Sequence, residues 1–198
     1  MFDLNEQAED LNGKLLISLL KLSDAVKASL WDTAKRYGLS PLQTQILIFI
    51  NNHKPDLCTV NTIKDEFAVS QPTVSDAVNT LVKKELAKKQ KSEADSRSFF
   101  LLITSAGNKL ISELENYTAP FIKGIQQLDE KEKISSFTSL LSLLSNLNKQ
   151  GLITPSRMCF HCKYYEGDTK QEHYCNLLNA PLQSTHLRID CPDFERPT

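Results

Sequence analysis

A chain of 198 residues with 40% hydrophobic and 24% charged residues has the composition of a globular protein, and its length allows one good core with a small second module. The formal net charge of −1 at pH 7 excludes a broadly basic protein, so any contact with nucleic acid must come from a local basic patch. Apolar runs such as Ile46 to Ile50 are too short to span a membrane, so we expect no membrane partner.

Three helices are predicted in the first third of the chain. Apolar residues recur at steps of three and four from Leu4 to Leu30, which indicates a long amphipathic helix that Gly38 ends. Ser40 is a typical N-cap, followed by proline at the first position of a helix from Pro41 to about Asn52. A short helix from about Asn61 to Phe67 follows.

A fourth helix and a hairpin come next. Ser70 caps this helix, and its early Pro72 is tolerated because the first turn has no internal N–H partners. Two strand-like segments follow, about Leu86 to Gln90 and Ser98 to Ile103, joined by the polar tip Lys91 to Arg97. A short helix, a turn, a capped helix and a two-stranded hairpin in this order predict a winged helix-turn-helix, whose capped helix enters the major groove of DNA.

The C-terminal half begins with two more helices. Thr104 caps one that Pro120 kinks or breaks, and a capping box at Asp129 begins a last helix to about Leu147. The first and last helices are too apolar for the outside of so small a domain, and such surfaces mark an interface. Gly151 then marks a boundary. We predict two units: residues 1–150, a DNA-binding and dimerisation domain, and residues 151–198, a small cysteine-rich tail.

Four short motifs together resemble the MarR family of bacterial transcriptional regulators: Val69 to Ser75, Leu81 to Lys84, Asp95 to Arg97, and Leu102 to Gly107. The resemblance covers roughly Leu11 to Leu147. It implies a mostly α fold with a small β-wing, and a homodimer formed by the long terminal helices. It also implies two recognition helices on a near-palindromic site in double-stranded DNA.

The resemblance further implies a small aromatic or anionic effector between the dimer frame and the winged domain. Trp31, Tyr37 and Tyr117 are candidates for lining that place, with core packing as the favoured alternative for each. One position departs from the family. Glu85 follows the recognition helix where the family usually has glycine for a left-handed helix end, so we expect a different helix exit or backbone strain.

Candidate DNA contacts fall into two groups. Polar residues early in the capped helix are candidate base contacts, because Gln and Asn bond adenine bidentately and Ser and Thr are less selective: Gln71, Thr73, Ser75 and Asn79. Nearby Asp76 is expected to be solvated surface. The lysines after them are candidate phosphate contacts: Lys83, Lys84, Lys88, Lys89 and Lys91. The resemblance adds Arg97, which meets DNA, and Asp95, which braces it.

Four of the five cysteines lie in the tail, with the spacing C-x2-C-x12-C-x15-C: Cys159, Cys162, Cys175 and Cys191. Four thiolates suit a closed tetrahedral zinc site, whereas the proline after Cys191 favours a [4Fe–4S] cluster. Disulfides or free thiols are the third alternative. The first residues lack the features of a signal peptide, so we expect a cytoplasmic location, where disulfides are rare. His161, His173 and His186 are alternative ligands, more simply explained as surface or supporting residues. Cys58 is expected to be a half-buried small hydrophobe.

These features predict a DNA-binding regulator of MarR type with a C-terminal zinc or iron–sulfur site that is either structural or sensory. The alternative is a winged-helix protein–protein adaptor whose lysines are merely solvated and whose zinc tail is structural. An enzyme is not expected, because four cysteine ligands leave no open coordination position on the metal.

Overall fold

The computed structural model describes residues 10–91, 99–153, 157–167 and 172–197. Its helices are α1 (Leu11–Arg36), α2 (Pro41–Asn52), α3 (Val60–Glu66), α4 (Gln71–Lys83), α5 (Ser105–Glu115), α6 (Ala119–Gln126) and α7 (Glu130–Lys149). Its strands are β1 (Ala87–Lys91), β2 (Phe99–Ile103), β3 (Tyr165–Gly167), β4 (His173–Cys175) and β5 (Ala180–Leu182). This mostly helical fold with a small β-hairpin confirms the predicted fold class for the winged domain.

The predicted N-caps begin the helices as expected. Ser40 and Gln43 form a reciprocal capping box at α2, with Oγ and Oε1 each accepting the other residue's backbone N–H at 3.2 and 3.0 Å. Ser70 Oγ accepts the backbone N–H of Thr73 at 3.3 Å, and Thr104 Oγ1 accepts that of Gly107 at 3.0 Å. These bonds satisfy N–H groups that the first turn leaves without an internal partner.

The terminal helices of the winged domain differ from prediction only in extent. In the described part of the chain, α1 begins after the cap Asp10 and ends at Arg36, two residues before Gly38, while the predicted start at Leu4 lies outside the described residues. Gly38 then takes the left-handed φ of +62° that ends the helix. At the other end, Asp129 forms the predicted capping box of α7, and a 3-10 turn separates α5 from α6 near Pro120.

The core lies between α2, α3, α4, α5 and the hairpin. Its completely buried members include Leu47, Ile63, Val74, Leu81 and Leu101, all at 0% exposure. The two strands of the hairpin are antiparallel, with Ala87 opposite Ile103 and Lys91 opposite Phe99. The backbone N–H of Leu101 donates to Cys58 O at 2.8 Å, which attaches the hairpin to the loop between α2 and α3.

Gly107 permits a close approach at the foot of the hairpin. A Cβ added at this position would lie 2.2 Å from the carbonyl oxygen of Leu86. That carbonyl also accepts the backbone N–H of Thr104 at 3.1 Å. The first turn of α5 is therefore packed directly against the end of the recognition helix and the start of the wing.

The cysteine-rich tail forms a small antiparallel sheet in the order β3-β4-β5 and packs against α7. Leu141 on α7 is buried with Met158 and Leu187 of the tail. The predicted division between residues 150 and 151 falls one residue after the end of α7, and it stays a prediction. Among the described residues, no helix is long and apolar enough to cross a membrane.

Glu85 has a left-handed backbone, with φ of +59°, so backbone strain and not a different helix exit is the outcome at this position. Its backbone N–H donates to Val82 O at 3.0 Å, and its carbonyl accepts from Thr104 Oγ1 at 2.6 Å. These backbone bonds hold the residue in a conformation that a Cβ disfavours by roughly 1–2 kcal/mol. The helix therefore ends as the family's glycine would end it, at a cost in strain.

We predict that Glu85→Gly raises the free energy of unfolding by about 0.5–1 kcal/mol, because released strain exceeds the added flexibility of the unfolded chain. Urea titration followed by circular dichroism measures the change. Glu85→Ala is the matched control, since it removes the same charge and keeps the Cβ. Equal stabilities of the two variants would contradict the strain argument.

Candidate nucleic-acid interface and cysteine site

Helix α4 has one buried face and one polar exposed face. Val74, Val78 and Leu81 point into the core. Among the candidate base contacts, Ser75 is half-buried, and three are exposed: Gln71, Thr73 and Asn79. The cap at Ser70 fixes where this helix begins, so the polar positions of its first turns are presented together. This is the arrangement that a recognition helix requires.

Two of these polar side chains also bond within the protein. Thr73 Oγ1 lies 2.7 Å from Ser70 Oγ, so its hydroxyl contributes to the helix cap. Asn79 Oδ1 accepts a hydrogen bond from Lys89 Nζ at 2.8 Å. Because Lys89 lies on β1, this bond joins the polar face of α4 to the wing.

The candidate phosphate contacts surround the same surface. All five lysines are exposed: Lys83, Lys84, Lys88, Lys89 and Lys91. Lys84 Nζ donates to Gly38 O at 2.9 Å, and Lys89 Nζ lies 4.7 Å from the ring centroid of Phe99. The predicted wing residues Asp95 and Arg97 lie outside the described residues. The DNA contacts all stay predictions.

Backbone hydrogen bonds bring the four tail cysteines into one region. Cys159 begins a 3-10 turn in which its carbonyl accepts the backbone N–H of Cys162 at 2.9 Å. Cys175 ends β4 opposite Tyr165 of β3, and the N–H of Tyr165 donates to Cys162 O at 3.0 Å. The backbone N–H of Cys191 donates to Arg157 O at 2.9 Å.

The thiol of Cys159 is influenced by the other three. Its pKa is raised, chiefly by burial, and the thiols of Cys191, Cys162 and Cys175 raise it further. The backbone N–H of Arg188, 3.2 Å from Cys159 Sγ, acts in the opposite direction by favouring the thiolate. The backbone bonds of the four cysteines agree with this mutual influence by placing their segments side by side. In the described part of the chain, no group of three His, Cys, Asp or Glu side chains is arranged to hold a metal ion.

The tail histidines have different surroundings. Both ring nitrogens of His161 are buried without a hydrogen-bond partner among the described residues, and burial followed by the charge of Lys149 lowers its pKa. His173 Nδ1 instead lies 2.8 Å from Tyr165 Oη, and His186 Nδ1 accepts the backbone N–H of Gln183 at 3.3 Å. His173 and His186 therefore have structural contacts that account for their positions.

Arg157 is a functional candidate that the sequence did not reveal. Its side chain is only 11% exposed, and its Nε and Nη2 donate to Asp190 Oδ1 and Oδ2 at 2.7 and 2.9 Å. Its Nη1 donates to Glu66 Oε2 at 3.1 Å, while its guanidinium lies 5.4 Å from the centroid of Phe49. No local spacing indicated this contact, because the partners lie far apart in sequence.

Asp190 belongs to the same cluster. Burial alone would raise its pKa, but hydrogen bonds from Arg157 and His53 more than offset this and lower it. His53 Nε2 lies 2.8 Å from Asp190 Oδ2, and the His53 ring is stacked on Phe49 with centroids 3.9 Å apart. The tail carboxylate is thus held as an anion against the end of α2.

Cys58 is even more buried than expected, at 1% exposure. Burial raises the pKa of its thiol to about 11, and the S–H group donates to Lys54 O at 3.3 Å. It is therefore a packed residue and not a reactive thiol.

The three aromatic candidates for an effector pocket do not behave alike. Trp31 is 60% exposed, so the expectation that it is a core residue is wrong for the single chain. Trp31 lies on α1, a long helix that is covered on only one side. Local periodicity does not show which face of this helix a neighbour covers. Tyr37 packs against the core and its hydroxyl donates to Glu113 Oε2 at 3.2 Å, and Tyr117 is half-buried.

The described helices and hairpin form a winged helix-turn-helix, and residues 37–98 match the model of the MarR family. A MarR transcriptional regulator from Methanosarcina mazei Go1 superposes with a TM-score of 0.58 at 18% identity, over 68% of this chain and 96% of that one. S. aureus MepR in complex with DNA superposes with a TM-score of 0.54 at 24% identity, over 66% of this chain and 96% of that one.

A third structure, MepR as a transcription regulator of the S. aureus multidrug efflux pump MepA, has a TM-score of 0.51 at 22% identity, over 65% of this chain and 95% of that one. No curated protein sequence matches the chain. At identities this low, the similarity of these structures to the chain shows a shared fold alone. Residues 37–98 are therefore similar to the MarR family, and the chain has the winged-helix fold of these structures.

Proposed function

We propose that this protein is a transcriptional regulator of MarR type that binds a near-palindromic site in double-stranded DNA as a homodimer. The main support is the polar face of α4, exposed beside a lysine-rich hairpin in the region that is similar to the MarR family. Helix α4 enters the major groove, where Gln71, Ser75 and Asn79 meet base edges. The lysines meet phosphates, and a fold relative that forms a complex with DNA supports DNA as the partner.

The homodimer is supported by apolar surface that the single chain leaves uncovered. Helix α1 exposes Leu11, Leu15 and Leu22 at 68%, 56% and 58%. Ile122 and Ile125 of α6 and Leu140 of α7 are exposed at 49%, 51% and 45%. Such surface on both terminal segments is suited to a second copy of the same chain. The dimer frame then sets the spacing of the two recognition helices on DNA, and a small aromatic or anionic effector alters that spacing.

We also propose that Cys159, Cys162, Cys175 and Cys191 hold zinc or a [4Fe–4S] cluster. The mutual influence of the thiols and the N–H bond to Cys159 Sγ fit such a site, since an N–H donor stabilises a thiolate. A bound zinc would supply structural ligation with no catalytic position, and a cluster would supply a redox-active centre. Neither makes the protein an enzyme.

We predict that Lys88→Ala weakens binding to all duplexes and reduces the slope of log K against log salt by about one, because it removes a phosphate contact. Asn79→Ala should cost about 1–3 kcal/mol on the operator and less on scrambled DNA. Fluorescence anisotropy with duplexes from upstream of its own gene measures both. Lys131→Ala, on α7, is the control and should leave binding unchanged.

No DNA binding by the wild type at moderate salt would contradict the regulator and favour the protein–protein adaptor. An affinity that does not fall as salt rises would do the same.

We predict that Leu15→Glu shifts the protein from dimer to monomer, because a charge in an apolar interface loses its hydration without gaining a partner. Analytical ultracentrifugation measures the mass of each species. Asn108→Glu changes an exposed residue of α5 and should leave the dimer intact. A monomeric wild type at micromolar concentration would rule out the proposed dimer.

We predict that anaerobically purified protein contains either one zinc per chain in a colourless sample, or iron and sulfide in a brown one. Elemental analysis with the visible spectrum distinguishes the two. Cys175→Ala should lose the metal because it removes a ligand, whereas Cys58→Ala should retain it. Wild-type protein free of zinc and iron would show that the cysteines have another role.

A further inference from the structure

The tail contacts two parts of the protein that have different tasks in the proposed regulator. On one side, Met158 and Leu187 pack on Leu141 of α7, with all three at most 6% exposed. On the other side, Arg157 contacts Glu66 of α3, and Asp190 contacts His53 just after α2. Helix α7 belongs to the proposed dimer frame. The tail is therefore a strut between the frame and the DNA-binding helices of the same chain.

The contact of Arg157 with α3 is specific, and Arg157 is its most buried member, since Glu66 and Asp190 are 31% and 44% exposed. Arg157 bonds both oxygens of Asp190 and one oxygen of Glu66, and its side chain is 11% exposed. Glu66 is the last residue of α3, only four positions before the cap Ser70 of the recognition helix. A charged group so enclosed depends on its partners, because an unpaired charge would lack both water and a counter-ion. A displacement of Arg157 would therefore also displace Glu66 and the end of α3.

The same backbone segments position the cysteines. Arg157 lies two residues before Cys159, and Asp190 lies directly before Cys191. The two segments are joined by Cys191 N–H to Arg157 O at 2.9 Å and by Cys159 N–H to Arg188 O at 3.0 Å. Ligation that pulls the sulfurs of Cys159 and Cys191 toward one another must therefore also act on the two backbone segments, which carry Arg157 and Asp190.

We propose that loading of the four-cysteine site regulates operator binding by fixing the Arg157–Asp190 pair against Glu66. This inference rests on the proposed function. With the site loaded, the strut holds α3 and α4 at one angle to α7. With the site empty or oxidised, the strut loosens and the recognition helices change their spacing. This regulation acts through the contact between the tail and α3, and it requires no ligand bound in the winged domain itself.

The test compares loaded protein with protein stripped by a chelator, as the full-length chain. Two readouts are measured: hydrogen exchange of the α3 backbone amides, and affinity for the operator duplex. In the wild type, stripping should increase α3 exchange and change the affinity by about 5- to 150-fold, the usual range of coupling between sites. In Arg157→Met, which keeps the length of the aliphatic stem, both differences should shrink to within about twofold.

Two further variants guard against misfolding and indirect effects. Glu66→Gln keeps the shape of the side chain and leaves the Arg157–Asp190 pair in place, and it should also weaken the coupling. Glu195→Gln disrupts only an exposed cluster within the tail, formed with Lys163 and Tyr164, so it should respond like the wild type.

The outcomes separate this inference from the proposed function. Wild type that binds metal and DNA but shows no change on stripping would overturn the strut mechanism alone. Full coupling retained in Arg157→Met and Glu66→Gln would also overturn it. Protein that binds metal but no duplex contradicts the proposed regulator, and α3 exchange still decides whether the coupling exists. Protein that binds no metal overturns both the metal site and this inference.

Discussion

The tail and the winged domain are joined by the contact of the Arg157 guanidinium with two carboxylates. A guanidinium remains charged at any physiological pH, so a largely buried one requires counter-ions at fixed positions. Asp190 meets it with two parallel hydrogen bonds, and Glu66 meets a third N–H group. One partner lies in the tail and the other in α3. This one cation therefore joins the tail to α3, in addition to the packing of Met158 and Leu187 on Leu141 of α7.

The winged domain has a local excess of positive charge that the net charge of the whole chain does not show. Lysines gather on α4 and β1, while the formal net charge is −1. Two of these lysines already contact the protein: Lys84 with Gly38 O, and Lys89 with Asn79 Oδ1. On binding DNA, Lys89 would exchange a neutral acceptor for a phosphate. The side chain of Asn79 would then be released to meet a base edge. In the proposed complex, contact with the DNA backbone and contact with bases would therefore be linked through this hydrogen bond.

Features set by neighbouring residues were predictable from the sequence, and those set by distant residues were not. The caps at Ser40, Ser70 and Thr104 act over three residues, so their side-chain chemistry was enough to locate the helix starts. At Glu85 the sequence predicted either a different helix exit or strain, and the left-handed backbone shows which of the two holds. The contact of Arg157 with Glu66 joins residues 91 positions apart, and the exposure of Trp31 depends on which helix face lacks a neighbour. No periodicity encodes either property.

In this fold, a structural role and a sensory role of the cysteine site do not exclude each other. The tail buries few apolar side chains, chiefly Met158 and Leu187 against Leu141, so its internal packing is a weak source of stability. Ligation at the cysteines would supply what that packing lacks. The segments that ligation would order are the ones that bear Arg157 and Asp190. A metal or cluster that only stabilises the tail would therefore also fix the contact with α3, and its loss would release that contact. In this architecture, stabilising the tail is itself the means by which the site would report to the DNA-binding helices.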